Sequence, residues 1–296
     1  MKGLLLSSTA LVAFATNYGA EAADFIARKA VKAPVAPVAT AAPFSWTGFY
    51  AGPVGGYSWR DPLITITGTG PAATFLSTGL MPSSVPVDPK GWLGGLQAGY
   101  NYQVGMAIFG FEADFSSANI RDGGTAGPGL PLTEIFLCGK ICTITNTFRF
   151  ITTAEQKLDL FGTVRGRLGL TPFERFLVFL SGGLAYGRAN LSASVQNLPG
   201  TSTVFPPPGA IPTVIPACSR LCATGSTTQW LTGWTYGFGG EYAFTNFLSM
   251  KFEYLRYDLG NLSLAFSDPR FAASVFNASA EFRGNIVRLG LSFRLP

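Results

Sequence analysis

The sequence predicts an all-β fold: an eight-stranded antiparallel transmembrane β-barrel with short periplasmic turns and four long extracellular loops. Three observations carry that prediction. Charged residues make up only 12% of the 296-residue chain while aromatics reach 14%, whereas soluble domains carry roughly 25% charge. From Phe44 onward apolar and polar residues alternate with period two, which sets one residue series on each face of a strand. Beyond the N-terminal stretch, Gly, Thr and charged residues break every apolar run before it reaches the roughly 18 residues of a membrane helix. A chain that must satisfy its backbone inside lipid without helices has only the closed barrel left.

The same composition excludes several functions. The net charge of +5 is spread along the chain without a basic run, so no nucleic acid is expected as a partner. Histidine is absent, which removes imidazole bases, the nucleophile systems built on them and the usual zinc sets. We therefore expect no enzyme, catalytic residue, metal site or cofactor.

Lys2, the apolar stretch from Leu4 to Ala15 and the small residues Ala20 and Ala22 read as a signal peptide over residues 1–22. The mature chain then begins at Ala23. Residues 23–44, rich in Ala, Val and Pro, read as an extended periplasmic linker. Residues 45–296 are left for the barrel, and the outer membrane of a Gram-negative cell is the expected location.

Eight alternating segments follow. Ser45 to Trp59 sets Phe49, Ala51, Tyr57 and Trp59 on one face, and Gly91 to Gln103 does so with Trp92, Leu96, Ala98, Tyr100 and Tyr102. Ala107 to Phe115 opposes Phe109, Phe111 and Phe115 to Glu112 and Asp114; Lys157 to Leu170 opposes Leu158, Leu160, Val164 and Leu168 to Asp159, Arg165 and Arg167. Phe176 to Gly187 is the fifth. Leu231 to Ala243 opposes Trp234, Tyr236, Phe238 and Tyr242 to Thr235 and Glu241. Leu248 to Tyr257 opposes Met250, Phe252 and Tyr254 to Ser249, Lys251, Glu253 and Tyr257, with Arg256 falling on the apolar face. Asn285 to Leu295 opposes Val287, Leu289, Leu291 and Phe293 to Arg288 and Arg294. Trp and Tyr gather at segment ends, as membrane interfaces favour.

Links near Val104-Gly105, Thr171 to Arg175 and Ala243 to Asn246 are tight, whereas 60–90, 116–154, 188–230 and 259–284 are long and rich in turn residues. That asymmetry is typical of outer-membrane barrels. Alternation alone does not say which face is inside. The charges decide: Glu112, Asp114, Asp159, Glu241 and Glu253 balance Arg165, Arg167, Lys251, Arg288 and Arg294, and a balanced set fits a narrow lumen better than a lipid face. These ten are the predicted lumen network, which should shut the barrel. Pro53, inside the first segment, is expected to mark a bulge.

Four cysteines lie in two of the long loops, as Cys138 with Cys142 and Cys218 with Cys222. In an oxidising compartment they are disulfide candidates. Local pairing, 138 with 142 and 218 with 222, closes the smallest rings at least entropic cost; cross-loop pairing is the alternative if the loops pack together. Local rings would stiffen tips that present Ile135, Phe136, Leu137, Ile215 and Leu221.

Several motifs together resemble the alphaproteobacterial outer-membrane immunogenic proteins, a porin-like family of small barrels with OmpA-type architecture. They are Trp46-Thr47-Gly48-Phe49-Tyr50, Gly94-Gly95-Leu96-Gln97-Ala98-Gly99-Tyr100-Asn101, Gly110-Phe111-Glu112-Ala113-Asp114-Phe115, the stretch Leu158 to Gly169, Gly182 to Gly187, Gly233-Trp234-Thr235 and Lys251-Phe252-Glu253-Tyr254-Leu255. The resemblance implies a structural envelope protein that displays its loops as a surface antigen. It also implies outer-membrane lipid and lipopolysaccharide as surroundings, and the barrel-assembly machinery as a partner in biogenesis. A narrow porin, or a surface protein binding haem or another extracellular ligand at its loops, are the alternatives. The chain departs from the family in ending Leu295-Pro296 rather than on an aromatic residue, and in its cysteine-bearing loops.

Overall fold

The computed structural model describes residues 44–60, 63–137, 143–205, 213–216, 218, 221–271 and 273–295. The expected signal peptide and all of the linker except Phe44 lie outside the described residues. In chain order the strands are β1 (Gly48–Trp59), β2 (Leu63–Thr69), β3 (Ser84–Pro86), β4 (Gly91–Val104), β5 (Ala107–Ala126), β6 (Leu132–Leu137), β7 (Thr143–Phe148), β8 (Phe150–Phe173), β9 (Phe176–Asn197), β10 (Gly200–Phe205), β11 (Thr213–Ile215), β12 (Ala223–Ala243), β13 (Leu248–Ser267) and β14 (Val275–Arg294). A short helix, α1 (Pro71–Ser77), follows β2.

The ring runs β1-β4-β5-β8-β9-β12-β13-β14, antiparallel throughout, and β14 pairs back onto β1 from Tyr50 with Arg294 to Trp59 with Asn285. Closure leaves no free edge in the membrane. Three tight turns join β4 to β5, β8 to β9 and β12 to β13 at the end that also holds both termini of the ring. Gly105 takes φ +61° in the first of them, a value that favours glycine. Short turns mark this as the periplasmic end.

The strands run far beyond their predicted outer ends. β8 has 24 residues, where roughly 9–11 suffice to cross a bilayer. Much of the sequence read as long loop, in 116–154, 188–230 and 259–284, is therefore barrel wall standing above the membrane. Its polarity is reversed. Near the periplasmic end β14 turns Val287, Leu289, Leu291 and Phe293 outward, whereas above Asn285 it buries Phe276, Ala278, Ala280 and Phe282 inside and turns Asn277, Ser279, Glu281 and Arg283 out. Lipid outside demands apolar residues there; water outside demands the opposite.

In β5, β8 and β13 a register shift marks the change, at Ser117/Ile120, Leu158/Leu160 and Asp258/Asn261. In β8 and β13 the unpaired residue swaps the two faces of the strand, whereas β5 keeps its even-numbered residues inward throughout. At the third shift Gly260 has φ +83°. At the second, the swap sends Leu158 into the core, although it was expected on the lipid face. Pro53, expected to mark a bulge, leaves the β1–β14 register unbroken: the paired residues on either side keep the same offset, and only the Gly52 and Pro53 rungs are missing.

Above the membrane β1 ends, and β2 takes its place beside β14, with β3 next to it. Inside this outer storey lies an apolar core that includes Ile120, Leu158, Phe161, Leu191, Leu262 and Phe276, with α1 packing Ala72 against it. A second antiparallel sheet, ordered β11-β10-β7-β6, is built from the loops that follow β5 and β9. β7 meets β10 from Thr147 with Thr201 to Thr143 with Phe205, so the two cysteine-bearing loops do pack together.

Candidate functional site: a filled lumen beneath a surface layer

Three layers fill the barrel. At the periplasmic end the residues preceding β1 fold under the opening, and Trp46 is wholly buried with Ile108, Leu177, Phe179 and Ala243. Its indole Nε1 donates to the Glu174 carbonyl at 3.0 Å, and its backbone N–H donates to Gln103 Oε1 at 2.8 Å. Phe44 packs edge-on against it. The Arg294 guanidinium lies 4.5 Å from the Phe44 ring centre and 4.4 Å from that of Trp46, and Arg175 covers Phe44 as well. These are cation–π contacts, which among the described residues close the mouth without an ion pair.

The middle layer holds eight of the ten predicted lumen charges. Glu112, Asp114, Glu241 and Glu253 meet Arg165, Arg167, Lys251 and Arg288, all buried. Alternation places them: each stands on the inward series of β5, β8, β12, β13 or β14. Glu112 is the hub. It accepts from Arg165 Nη2 at 2.5 Å, from Lys251 Nζ at 2.7 Å on both oxygens, from the Tyr50 hydroxyl at 2.7 Å and from Arg167 Nη1 at 3.3 Å. Arg165 Nη1 also donates to Glu253, and Arg288 joins Glu253 through Nε at 2.8 Å to Asp114 through Nη2 at 2.9 Å. Arg167 reaches Glu241 at 2.9 Å while its guanidinium lies 4.0 Å from the Phe179 ring centre.

Two predicted members stand elsewhere. Asp159 is the bulged residue of β8, and the face swap puts it on the outer surface, where it pairs with Lys157 at 2.6 Å and Arg188 at 3.3 Å. Arg294 faces inward but one level too low, in the aromatic cap. Uncharged partners of the network were missed, among them Tyr50, Thr163, Ser181 and Ser249. The signal was present for Thr163 and Ser249, which share strand parity with Arg165 and Lys251, and absent for Tyr50 and Ser181, whose strands carry no inward charge. The third layer is the apolar core, where the Phe161 and Tyr257 rings meet at a tilt, their centres 5.0 Å apart, directly above the charges.

Outside the membrane, Pro71, Phe75, Leu132, Glu134, Phe148, Phe150, Leu221 and Ser274 line a cavity of about 240 Å³ between α1 and the second sheet. Leu221, expected at an exposed tip, is buried there, whereas Ile135 and Phe136 are exposed as expected. Leu137's side chain, Cys138 and Cys142 lie outside the described residues. Cys218 and Cys222 are present as thiols hydrogen-bonded to each other. The Cys222 thiol also faces Asn197 Oδ1 at 3.7 Å, and burial together with the Cys218 contact pushes it up to about 11. Asp268 fastens this corner, accepting from the Cys222 backbone N–H at 2.9 Å and from Arg270 Nη2 at 2.7 Å.

Comparison with known proteins agrees with this architecture. Residues 30–292 match the family described as outer membrane protein beta-barrel domain. The chain is 33% identical to the 31 kDa outer-membrane immunogenic protein of Brucella melitensis over 99% of its own length and all of the relative's. It is 31% identical to the 25 kDa outer-membrane immunogenic protein of Brucella abortus over 38% of its length and 44% of that protein's. Among solved structures, the outer membrane protein OprG of Pseudomonas aeruginosa aligns over 84% of this chain and 96% of its own at 11% identity, with a TM-score of 0.40.

Proposed function

The chain belongs to the family of outer-membrane immunogenic β-barrel proteins, and from that premise we propose that it is a sealed structural barrel. It would stabilise the outer membrane and display a folded β-layer outside the cell. The observation that carries this reading is the lumen, filled by an aromatic cap, a neutralised ion network and an apolar core in succession. A narrow porin needs a lumen free of bridging side chains, and here Arg165 and Arg288 each span carboxylates from different strands. Glu112 and Asp114 are engaged as counter-ions, which argues against an acid–base pair. The expected result in planar bilayers is no steady conductance from the purified protein. Stable large channels would sink the proposal.

A second reading, ligand capture at the loops, is favoured by the outer cavity. At about 240 Å³ it falls just under the roughly 300–1,000 Å³ of drug-sized sites, so a compact apolar molecule suits it better than a macrocycle. Detergent-free binding assays with haem and with small aromatics separate the two.

A further inference from the structure

A row of cations crosses neighbouring strands at the outer rim of the apolar belt. Lys90 bridges to Arg121 of β5, and Arg121 stands directly opposite Lys157 of β8. Arg188 of β9 stands slightly lower, opposite Leu160, just past the Asp159 bulge. Directly opposed residues share a face, and this face is the outer one. Trp92, 72% exposed, lies two residues below Lys90, and exposed Trp230 is the register partner of Arg188. Tryptophans so placed mark the membrane–water interface, which puts the row at headgroup level.

Like charges directly opposed across a ladder repel. Asp88 neutralises Lys90 at 2.6 Å, and Asp159 is shared by Lys157 and Arg188. Arg121 sits between two lysines, and its neighbour Asp122, on the opposite strand face, instead accepts from the Asp88 backbone N–H at 2.6 Å. Among the described residues of the row, four cations thus stand with two carboxylates, and the Arg121 guanidinium in the middle has no ion pair. An arrangement that costs stability in the isolated chain implies an anion from outside it.

We propose that this row docks the phosphates of the outer leaflet's glycolipid, the lipid A part of lipopolysaccharide. The tryptophans at the row's lower end and just below it select a lipid-borne phosphate over a free one, because they contact the acyl region that only the lipid brings. Arg121 and Lys157 hold a phosphate between them as charge-assisted hydrogen-bond donors.

The test is native mass spectrometry of the folded full-length protein titrated with diphosphoryl lipid A, its dephosphorylated form and inorganic phosphate. Each cation near an anionic headgroup contributes about fivefold in affinity, so Arg121→Gln with Lys157→Gln should weaken diphosphoryl lipid A binding about 25-fold. The same pair should leave binding of the dephosphorylated lipid unchanged. Arg270→Gln, which removes a charge from the outer loops instead, should change nothing. Heat-modifiable gel migration checks that every variant is folded, and Arg121→Gln alone supplies the reading if the double variant is not. The proposal is overturned if the double variant binds diphosphoryl lipid A within twofold of wild type, if Arg270→Gln weakens it equally, or if inorganic phosphate displaces it at comparable concentration.

Discussion

Glu112 shows what a charge requires in order to stay inside a barrel this narrow. Its two oxygens accept hydrogen bonds from two arginines, a lysine and a tyrosine, so neutralising it leaves Lys251 and Arg165 facing each other without their shared anion. Breaking one partner of a buried pair costs about 3–5 kcal/mol, and Glu112→Gln should destabilise the folded barrel by about that much. Urea unfolding in detergent or liposomes measures it, and an unchanged midpoint would defeat the hub assignment. Outside the membrane the residue to watch is Asp268, whose carboxyl the Arg270 guanidinium and the backbone N–H groups of Cys222 and Arg270 hold well below the usual range. A depressed folded value means that this carboxylate stabilises its corner above the ordinary carboxylate pKa, near 4, and that the contribution is lost as pH falls through the folded value. Protection of the Cys222 and Arg270 amides from hydrogen exchange should therefore persist at pH 4–5 and fall only in more acidic solution; in Asp268→Asn it should already be reduced at neutral pH. Eight of the ten lumen charges were legible because strand parity is a local property. Asp159 and Arg294 were not, since one depends on a bulge and the other on how far the cap rises into the mouth.

The strands within the membrane were legible as elements because lipid imposes one polarity rule on all of them. Their outer halves were not, because above Trp92 the outside solvent becomes water and the apolar series changes sides, which reads in sequence as lost alternation. The second sheet was hidden for another reason: Thr143–Phe148 and Gly200–Phe205 are short, and their pairing joins segments far apart in the chain. That sheet bears on the cysteines. Leu137 and Thr143, the residues flanking the Cys138 and Cys142 segment, pair with each other, and Thr143 with Phe205. The Cys218 backbone N–H, in contrast, donates to the Asn197 carbonyl, eight residues back from Phe205, or up to roughly 25 Å at strand rise. Local oxidation is therefore the expected course for Cys218 with Cys222, whose thiols already touch. Non-reducing peptide mapping of oxidised outer-membrane material should recover that ring. A dominant peptide joining Cys218 or Cys222 to Cys138 or Cys142 would show that the loop layer rearranges.

At the scale of the whole molecule, the seal is redundant, and redundancy has a measurable consequence. The cap, the ion layer and the apolar storey each block the lumen by a different interaction: aromatic packing with cation–π contacts, charge pairing, and exclusion of water by apolar side chains. Trp46→Ala empties the cap and should cost about 3–5 kcal/mol, as large core aromatics do, yet the charges above it remain paired and the lumen remains shut. Replacing Arg165 and Glu253 together by alanine removes a cation with an anion, so the layer stays nearly neutral, while Phe161 and Tyr257 still close the path above. Neither variant should conduct in planar bilayers. Only their combination with Phe161→Ala, which opens all three layers, should produce steady current. A conducting Trp46→Ala protein would instead mean that the cap alone is the gate, and the reading of the barrel as a structural element would give way to that of a pore held closed by its own N-terminal segment.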